Sequence, residues 1–382
     1  MSRNNLLLGL IILTVFLSGC WDYREIEDVF LVSTIALDKD KNTKEYILNV
    51  EVIDAGGGGA SIELNPIVME ARGITIVEAV RNLISLTTKT PYWSHVSIII
   101  ISQDIAREDI TPVLDWIARS PELQLKLRIF ISKEETAKEI LNQDLKFTKI
   151  RIFEYENMRR SFKYLSKLPD IKVNKVINEV QRKELYPVLP TVGIIDLHGQ
   201  TAAQFIGSAY FDKGRLIGIL EPIDTMKYLF IVNQIEGGVL TIPTDEDDKR
   251  VTLDINRNHT RIDIDLIDGE IQISVDIKPV VNISEVDDGI DYTSAEGRTI
   301  LKEISDRYLE NEIKIFIEKM QKESGLDIFA FGSKIMKKHP NIWKEVGDSW
   351  SEIFSDLDIK VTSDIRIKSS QHTTTPIGVE VE

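Results

Sequence analysis

Ile262-Asp263-Ile264-Asp265-Leu266-Ile267-Asp268-Gly269-Glu270-Ile271-Gln272-Ile273-Ser274-Val275-Asp276-Ile277 decides how the C-terminal part of this chain folds. Ile262, Ile264 and Leu266 alternate with polar residues, and Ile271, Ile273, Val275 and Ile277 alternate again after Asp268-Gly269. A period of two sends successive side chains to opposite faces of a strand, so each run has one face to bury. Asp-Gly between two such runs supplies the positive φ angles of a tight turn. The segment reads as a hairpin of an antiparallel sheet.

Downstream, the period changes. Leu301, Ile304, Tyr308, Leu309, Ile313, Phe316, Ile317 and Met320 recur at helical spacing and make the apolar side of one long helix. A second helix carries Trp343, Val346, Trp350 and Ile353, and Leu357, Ile359, Val361, Ile365 and Ile367 close the region as a half-buried strand. The expectation for residues 246–382 is an α+β domain, an antiparallel sheet packed on two helices.

Upstream, short strands alternate with Gly and Asp turns between Val192 and Leu240: Gln204 to Phe211, Arg215 to Leu220, Tyr228 to Asn233, and Gly238 to Ile242. They suggest a small, mainly-β middle domain over residues 191–245. Tyr186-Pro187-Val188-Leu189-Pro190 reads as a stiff connection before it, and Asp245-Glu246-Asp247-Asp248 as a solvated linker after it. Residues 20–190 alternate helix and strand, as a mixed sheet with helices on one face would. Two strands are expected between Val29 and Ile53, turning at Asp38 to Lys44. Helices follow from Val77, Val80, Leu83 and Ile84, from Ile105 to Ile117 with Pro112 near the first turn, and from Lys133 to Leu141. Val96 to Ile101 is a continuous apolar run, as a strand buried on both faces would be, and Leu125 to Ile131 reads as another strand. Phe147 to Leu189 is charge-rich and helical. Gly56-Gly57-Gly58-Gly59 lacks the lysine and the helix-opening Ser or Thr of a phosphate loop and reads as a flexible connection.

The N-terminus carries a different signal. Arg3 precedes a 12-residue apolar run from Leu6 to Leu17, and Leu17-Ser18-Gly19-Cys20 follows. A basic start, a short apolar core and small residues before a cut make an export signal over residues 1–19. The run is too short to cross a bilayer, which takes about 20 apolar residues. Cys20 is the only cysteine of the 382 residues, so no internal disulfide is possible. The arrangement resembles a bacterial lipobox, with cleavage between Gly19 and Cys20. The resemblance implies a diacylglyceryl and acyl lipid on Cys20, of the palmitate class, and no other cofactor. Trp21 would then lie at the bilayer interface, where indole rings concentrate.

The net charge of −15 becomes −16 without residues 1–19, which hold Arg3 and no acid. Such a chain is not built for nucleic acid or for broad contact with an anionic surface. Beyond the signal there is no second membrane span, internal repeat or heptad pattern.

Several of these stretches resemble one family. Gly19-Cys20-Trp21-Asp22-Tyr23-Arg24-Glu25-Ile26 is similar to the mature start of the Ger(x)C family, the C-subunit lipoproteins of spore germinant receptors. Gly73-Ile74-Thr75-Ile76-Val77-Glu78-Ala79-Val80-Arg81, with His95 before an isoleucine-rich strand, resembles their N-terminal domain. The most specific likeness is Asp327-Ile328-Phe329-Ala330-Phe331-Gly332, followed by His339-Pro340-Asn341-Ile342-Trp343 and Trp350. The family usually has glycine between the two phenylalanines, where this chain has Ala330. The resemblance implies a three-domain α+β lipoprotein on the outer face of the inner spore membrane. It also implies work with two integral-membrane partners, the A and B subunits, in receptor assembly or signal relay, and no catalysis of its own.

The residues themselves offer no catalytic constellation. His95, His198, His259, His339 and His372 stand apart, without metal-ligand spacing. The acidic run at 245–248 lacks the spaced glycine and terminal glutamate of a calcium loop. Trp343 and Trp350, seven apart, are expected on one helical face, packed on the sheet or offered to a partner subunit. Two other classes stay open: a solute-binding lipoprotein of a membrane transporter, which would need two lobes around a cleft, and an envelope enzyme, which would need clustered perturbed carboxylates.

Overall fold

The computed structural model describes residues 28–54, 66–87, 89–143, 151–244, 249–287 and 289–369. The signal segment, Gly19, Cys20, Trp21, the Gly56–Gly59 stretch, the acidic run at 245–248 and His372 lie outside them.

The N-terminal half is built on a nine-stranded sheet. Its strands are β1 (Val29–Lys39), β2 (Tyr46–Asp54), β3 (Pro66–Gly73), β4 (Thr90–Tyr92), β5 (Ile98–Ile101), β6 (Arg128–Ser132), β7 (Val188–Leu197), β8 (Gln200–Asp212) and β9 (Arg215–Leu220). The order is β3-β2-β1-β5-β6-β7-β8-β9, with β4 beside the start of β1. β1, β5, β6 and β7 are parallel, and both ends of the sheet are antiparallel. Parallel strands need covered faces, and β5 shows it: Ile99 and Ile101 enter one core, Ile98 and Ile100 the other. On the first face lie α1 (Ile76–Ser85), α2 (Gln103–Glu108), α3 (Thr111–Arg119) and α6 (Val173–Val180); on the second lie α4 (Ala137–Leu141) and α5 (Arg151–Leu165). Helices therefore cover both faces of this sheet, where one face was expected.

Several local expectations shift. Asp38 belongs to β1, and the turn runs from Asp40 to Glu45, closed by backbone bonds from the Asp40 N–H to the Glu45 carbonyl and from the Lys44 N–H to the Asp40 carbonyl. The helix expected over Ile105 to Ile117 is two helices, with Pro112 in the first turn of α3, where its missing N–H costs nothing. In α1 the buried residues are Ile76, Ala79 and Leu83, while Val77 and Ile84 are exposed.

The boundary expected near residue 190 falls inside β7, and β8 and β9 continue the N-terminal sheet. Tyr228 to Asn233 is not a strand. α7 (Pro222–Ile231) occupies the stretch, opened by Pro222 and buried at Tyr228, Leu229, Phe230 and Ile231. A short run that is apolar all round does not reveal its period, and burial on every side allows a helix.

The C-terminal hairpin is observed as expected. β12 (Thr260–Ile267) and β13 (Glu270–Ile277) pair without a register break across Asp268 (φ 54) and Gly269 (φ 86). β13 also takes β15 (Ile359–Ser363) as a parallel neighbour. A second sheet runs β10 (Val239–Pro243), β11 (Arg250–Arg257), β14 (Val280–Val286) and β16 (Arg366–Ser369), the last pair again parallel. The single antiparallel sheet expected here is thus two mixed sheets. They share one core with α7 and α8 (Ala295–Glu323). α8 buries Leu301, Leu309, Ile313, Phe316, Ile317 and Met320, the apolar side expected of it. The second helix is three pieces: α9 (Phe331–Lys338), α10 (Pro340–Val346) and α11 (Trp350–Asp356), with a 3-10 turn at Gly347–Ser349 before the last.

Candidate functional site

Asp327 organises the segment after α8. It is buried, and its carboxylate accepts hydrogen bonds from the backbone N–H of Phe331 at 3.1 Å and of Gly332 at 2.7 Å. Those donors open α9, so the carboxylate satisfies two of the N–H groups that a helix start leaves free. Ala330 makes the geometry possible by adopting the left-handed conformation (φ 62, ψ 34). That conformation strains any residue with a Cβ and suits glycine. The Ala330 departure thus sits at the one position of the motif where glycine has a conformational reason.

A third donor comes from α11. Trp350 Nε1 gives its hydrogen to Asp327 at 3.0 Å. All three donors favour the charged carboxylate, yet burial prevails and pushes the Asp327 carboxyl up to about 7. Trp350 is itself buried and meets Trp343 in a T-shaped pair with ring centroids 5.8 Å apart. A Cβ on Gly332 would lie 2.7 Å from Trp350 Nε1 and 2.9 Å from the Trp343 ring, so the glycine is a steric requirement. The two tryptophans meet although the helix between them is broken. Trp350 is a packing residue, and Trp343 is half-buried beside it.

What this arrangement does is fasten. The carboxylate ties α9 and α11 to the end of α8, and its lone pairs are taken by protein donors. His339 joins α9 to α10, and its buried Nε2 makes no hydrogen bond. His95, His198 and His259 are exposed and separate. Among the described residues no three His, Cys, Asp or Glu side chains gather to hold a metal ion.

A second polar cluster, unforeseen from the sequence, lies under α4 and α5. Asp38 accepts from the backbone N–H of Ala137 at 2.6 Å and Lys138 at 3.0 Å, and from Asn49 Nδ2 at 3.3 Å. Burial, with Glu139 and Glu70 nearby, pushes its carboxyl up to about 6. Glu51 accepts from Ser33 Oγ and from the Arg151 backbone, and its carboxylate faces the Arg151 guanidinium at 3.5 Å. Both carboxylates hold helix starts onto the β1–β2 pair. Strand alternation alone does not distinguish such an acid from one facing water.

Two surface hollows among the described residues illustrate the concave surface of each half. One, about 720 Å³, runs between α1 and α3 and is lined by Val77, Val80, Ile84, Trp93 and Trp116; the other, about 940 Å³, lies beside the β13–β15 edge and α11. The first lies within the N-terminal half and the second within the C-terminal half. Neither is a cleft between two lobes.

Residues 22–194 match the model of the spore germination protein N-terminal domain, and residues 206–371 match the spore germination B3/GerAC-like C-terminal model. The chain belongs to the Ger(x)C family of spore germination proteins. Spore germination protein KC of Bacillus subtilis (strain 168) is 24% identical over 99% of this chain and 98% of its own length. Spore germination protein B3 of the same organism is 24% identical over 92% and 94%. The crystal structure of the GerBC protein superposes with a TM-score of 0.59, covering 87% of this chain and 96% of that one at 19% identity. The Ger(x)C fold is thus shown, and the C-terminal match contains the whole Asp327–Trp350 cluster. No helix among the described residues is long and apolar enough to cross a membrane.

Proposed function

We propose that this Ger(x)C protein is the lipid-anchored C subunit of a spore nutrient germinant receptor, a non-catalytic part in receptor assembly or signal relay. The observation that carries the reading is the pairing of both family domains with the Gly19-Cys20-Trp21 start. Cys20 takes the diacylglyceryl and acyl chains after cleavage behind Gly19. Two or three such chains make a stable tether, at about 0.8 kcal/mol per buried methylene. Trp21 seats at the interface, and the protein stands on the outer face of the inner spore membrane beside the integral A and B subunits. Asp327 is buried and its carboxylate accepts three hydrogen bonds from protein donors, the arrangement of a structural tie in a scaffold.

The test is co-purification from detergent-solubilised spore membranes. The two integral subunits should come with the wild-type chain. Cys20→Ala should leave the precursor unlipidated and abolish nutrient germination. Normal germination by a lipid-free protein, or purification without either integral subunit, would overturn the reading.

A further inference from the structure

The end of the N-terminal half from which residue 28 emerges has an unusual surface. Val29 pairs with Thr90, so the β4 approach lies beside the chain start. Leu86, four residues before Thr90, is 61% exposed, and Ile84 is 43% exposed. β5 and β6 run parallel to β1 in register at Thr34, Ile98 and Arg128. Leu125, in the turn that leads into β6, therefore lies off the same end of the sheet as the β1 start, and it is 47% exposed. β4 and β5 follow one another along the edge of β1 opposite β2, so β6 lies one strand spacing, about 4.8 Å, from their line.

Lysines flank these leucines. Lys126 follows Leu125, and Lys172 is brought alongside because the Val173 and Asn174 N–H groups donate to the Leu127 and Leu125 carbonyls at 2.9 and 3.1 Å. Both lysines are exposed, and neither has an ion-pair partner among the described residues. Lys89 sits over the Phe30 ring, 5.4 Å from its centroid. The neighbouring acids are largely engaged: Asp170 pairs with Arg128, and Glu179 with Lys175. On a chain of net charge −15, the exposed leucines lie beside two lysines, Lys126 and Lys172, that no ion pair among the described residues engages.

We propose that this end is a membrane-contact face for an anionic bilayer, with Leu86 and Leu125 entering the interface and Lys126 and Lys172 meeting lipid phosphates. The proposal rests on the anchor reading for its orientation. Cys20 precedes Asp28 by eight residues, which span at most about 27 Å when extended, so a lipid on Cys20 holds this end toward the bilayer. Apolar side chains backed by lysines, whose stems let the charge reach the headgroups, are what an interfacial contact requires. The overall acidity expected to keep the body off the membrane is a sum over the whole surface, and it does not describe this end.

The test uses the full-length lipidated protein in phosphatidylethanolamine/phosphatidylglycerol vesicles containing a doxyl-lipid quencher. Environment-sensitive probes are placed at Leu86→Cys, Leu125→Cys and, as a control, Asn42→Cys, at the opposite end of β1. A parallel form carries Cys20→Ser and an N-terminal hexahistidine held by nickel-chelating lipid, so the face is read whether or not Cys20 is lipidated. Quenching at 86 and 125 should exceed that at 42 by about 3-fold or more, and Lys126→Glu with Lys172→Glu, or exchange of phosphatidylglycerol for phosphatidylcholine, should at least halve the excess. Equal quenching at all three positions in the tethered protein overturns the face. An excess that ignores both charge changes overturns the anionic recognition. Mass spectrometry showing an unmodified Cys20, with the excess present in the chelated form, would remove the anchor reading and leave the face standing.

Discussion

Replacing Trp350 with phenylalanine separates the two things its indole does. The ring is 3% exposed and packs against Trp343 and Phe354. Its N–H is the one side-chain donor to Asp327, 3.0 Å away. Phenylalanine keeps most of the ring and loses the donor. The packing loss, about 1 kcal/mol, does not depend on pH. The hydrogen-bond loss does, because the Asp327 carboxyl titrates at about 7. At pH 5 the bond is between neutral groups, worth about 0.5–1.5 kcal/mol; at pH 8 it is made to a charge, worth about 1.5–3 kcal/mol. Trp350→Phe should therefore cost about 1 kcal/mol more at pH 8 than at pH 5. Removing the donor also raises the carboxyl further, by roughly one pH unit for that difference. Urea titrations with pulsed hydrogen exchange, read on peptides from α8 and β13, measure the cost locally without assuming that the whole chain unfolds in one step. Trp350→Ala, losing the ring as well, should cost about 3–5 kcal/mol at either pH. A Trp350→Phe cost equal at the two pH values within about 0.3 kcal/mol would refute the coupling of this bond to the ionisation of Asp327.

Ala330→Gly should stabilise the C-terminal half. Relief of left-handed strain, about 1–2 kcal/mol, exceeds the added freedom of the unfolded chain, about 0.4–1 kcal/mol, and thermal unfolding should shift upward. Gly332→Ala should do the opposite, because the new Cβ meets ring atoms of two packed indoles; a cost below about 1 kcal/mol in urea would mean that the rings move aside freely. Asp38 gives a pH signature. Its folded carboxyl titrates at about 6, above the unfolded value near 3.8, so the folded state holds the proton more tightly. Its contribution is present in full below about pH 4 and is lost as pH climbs through about 6, a span worth roughly 3 kcal/mol. Asp38→Asn should remove that slope, with Asn49 Oδ1, which makes no hydrogen bond in the wild type, available to accept from the new amide. An unchanged pH dependence of the urea midpoint would show that Asp38 does not titrate there.

The parts legible in the sequence are those whose period is unambiguous. The β12–β13 hairpin has seven alternating apolar positions and an Asp-Gly turn, and α8 repeats its apolar side over 29 residues. Legibility fails where the pattern does not carry the information. Tyr228 to Ile231 is a continuous apolar run, and only the core around α7 decides that it is helical. The parallel pairing of β13 with β15 and of β14 with β16 joins segments more than eighty residues apart, and no local signal names a strand's distant neighbour. In α1, Val77, Val80 and Ile84 have helical spacing, but so do Ile76, Ala79 and Leu83, and only the second set is buried. For the motif around Asp327, the likeness singled out the residues and their chemistry stayed hidden. An aspartate receiving two backbone N–H groups and an indole hydrogen requires the chain to close on itself through a left-handed residue.

Relay through such a protein depends on whether its halves move as one, and the middle of the chain bears on that. β8 and β9 are bonded into the N-terminal sheet, yet Tyr210, on β8, and Leu220, on β9, share a core with β11, β13 and α8. α7 lies between them. Its buried Thr225 hydroxyl donates to the Leu220 carbonyl at 3.2 Å and lies 2.9 Å from Ser208 Oγ, binding it to the first sheet. On its other side Lys227 meets Glu312 at 2.7 Å and Asp224 meets Lys319 at 2.8 Å, binding it to α8. Exposed ion pairs alone would be worth little, about 0–1 kcal/mol each. Here they flank a helix whose Tyr228 and Phe230 are buried, so opening the junction would expose a continuous apolar core. A displacement of the N-terminal half is then carried to the C-terminal sheets through packed elements.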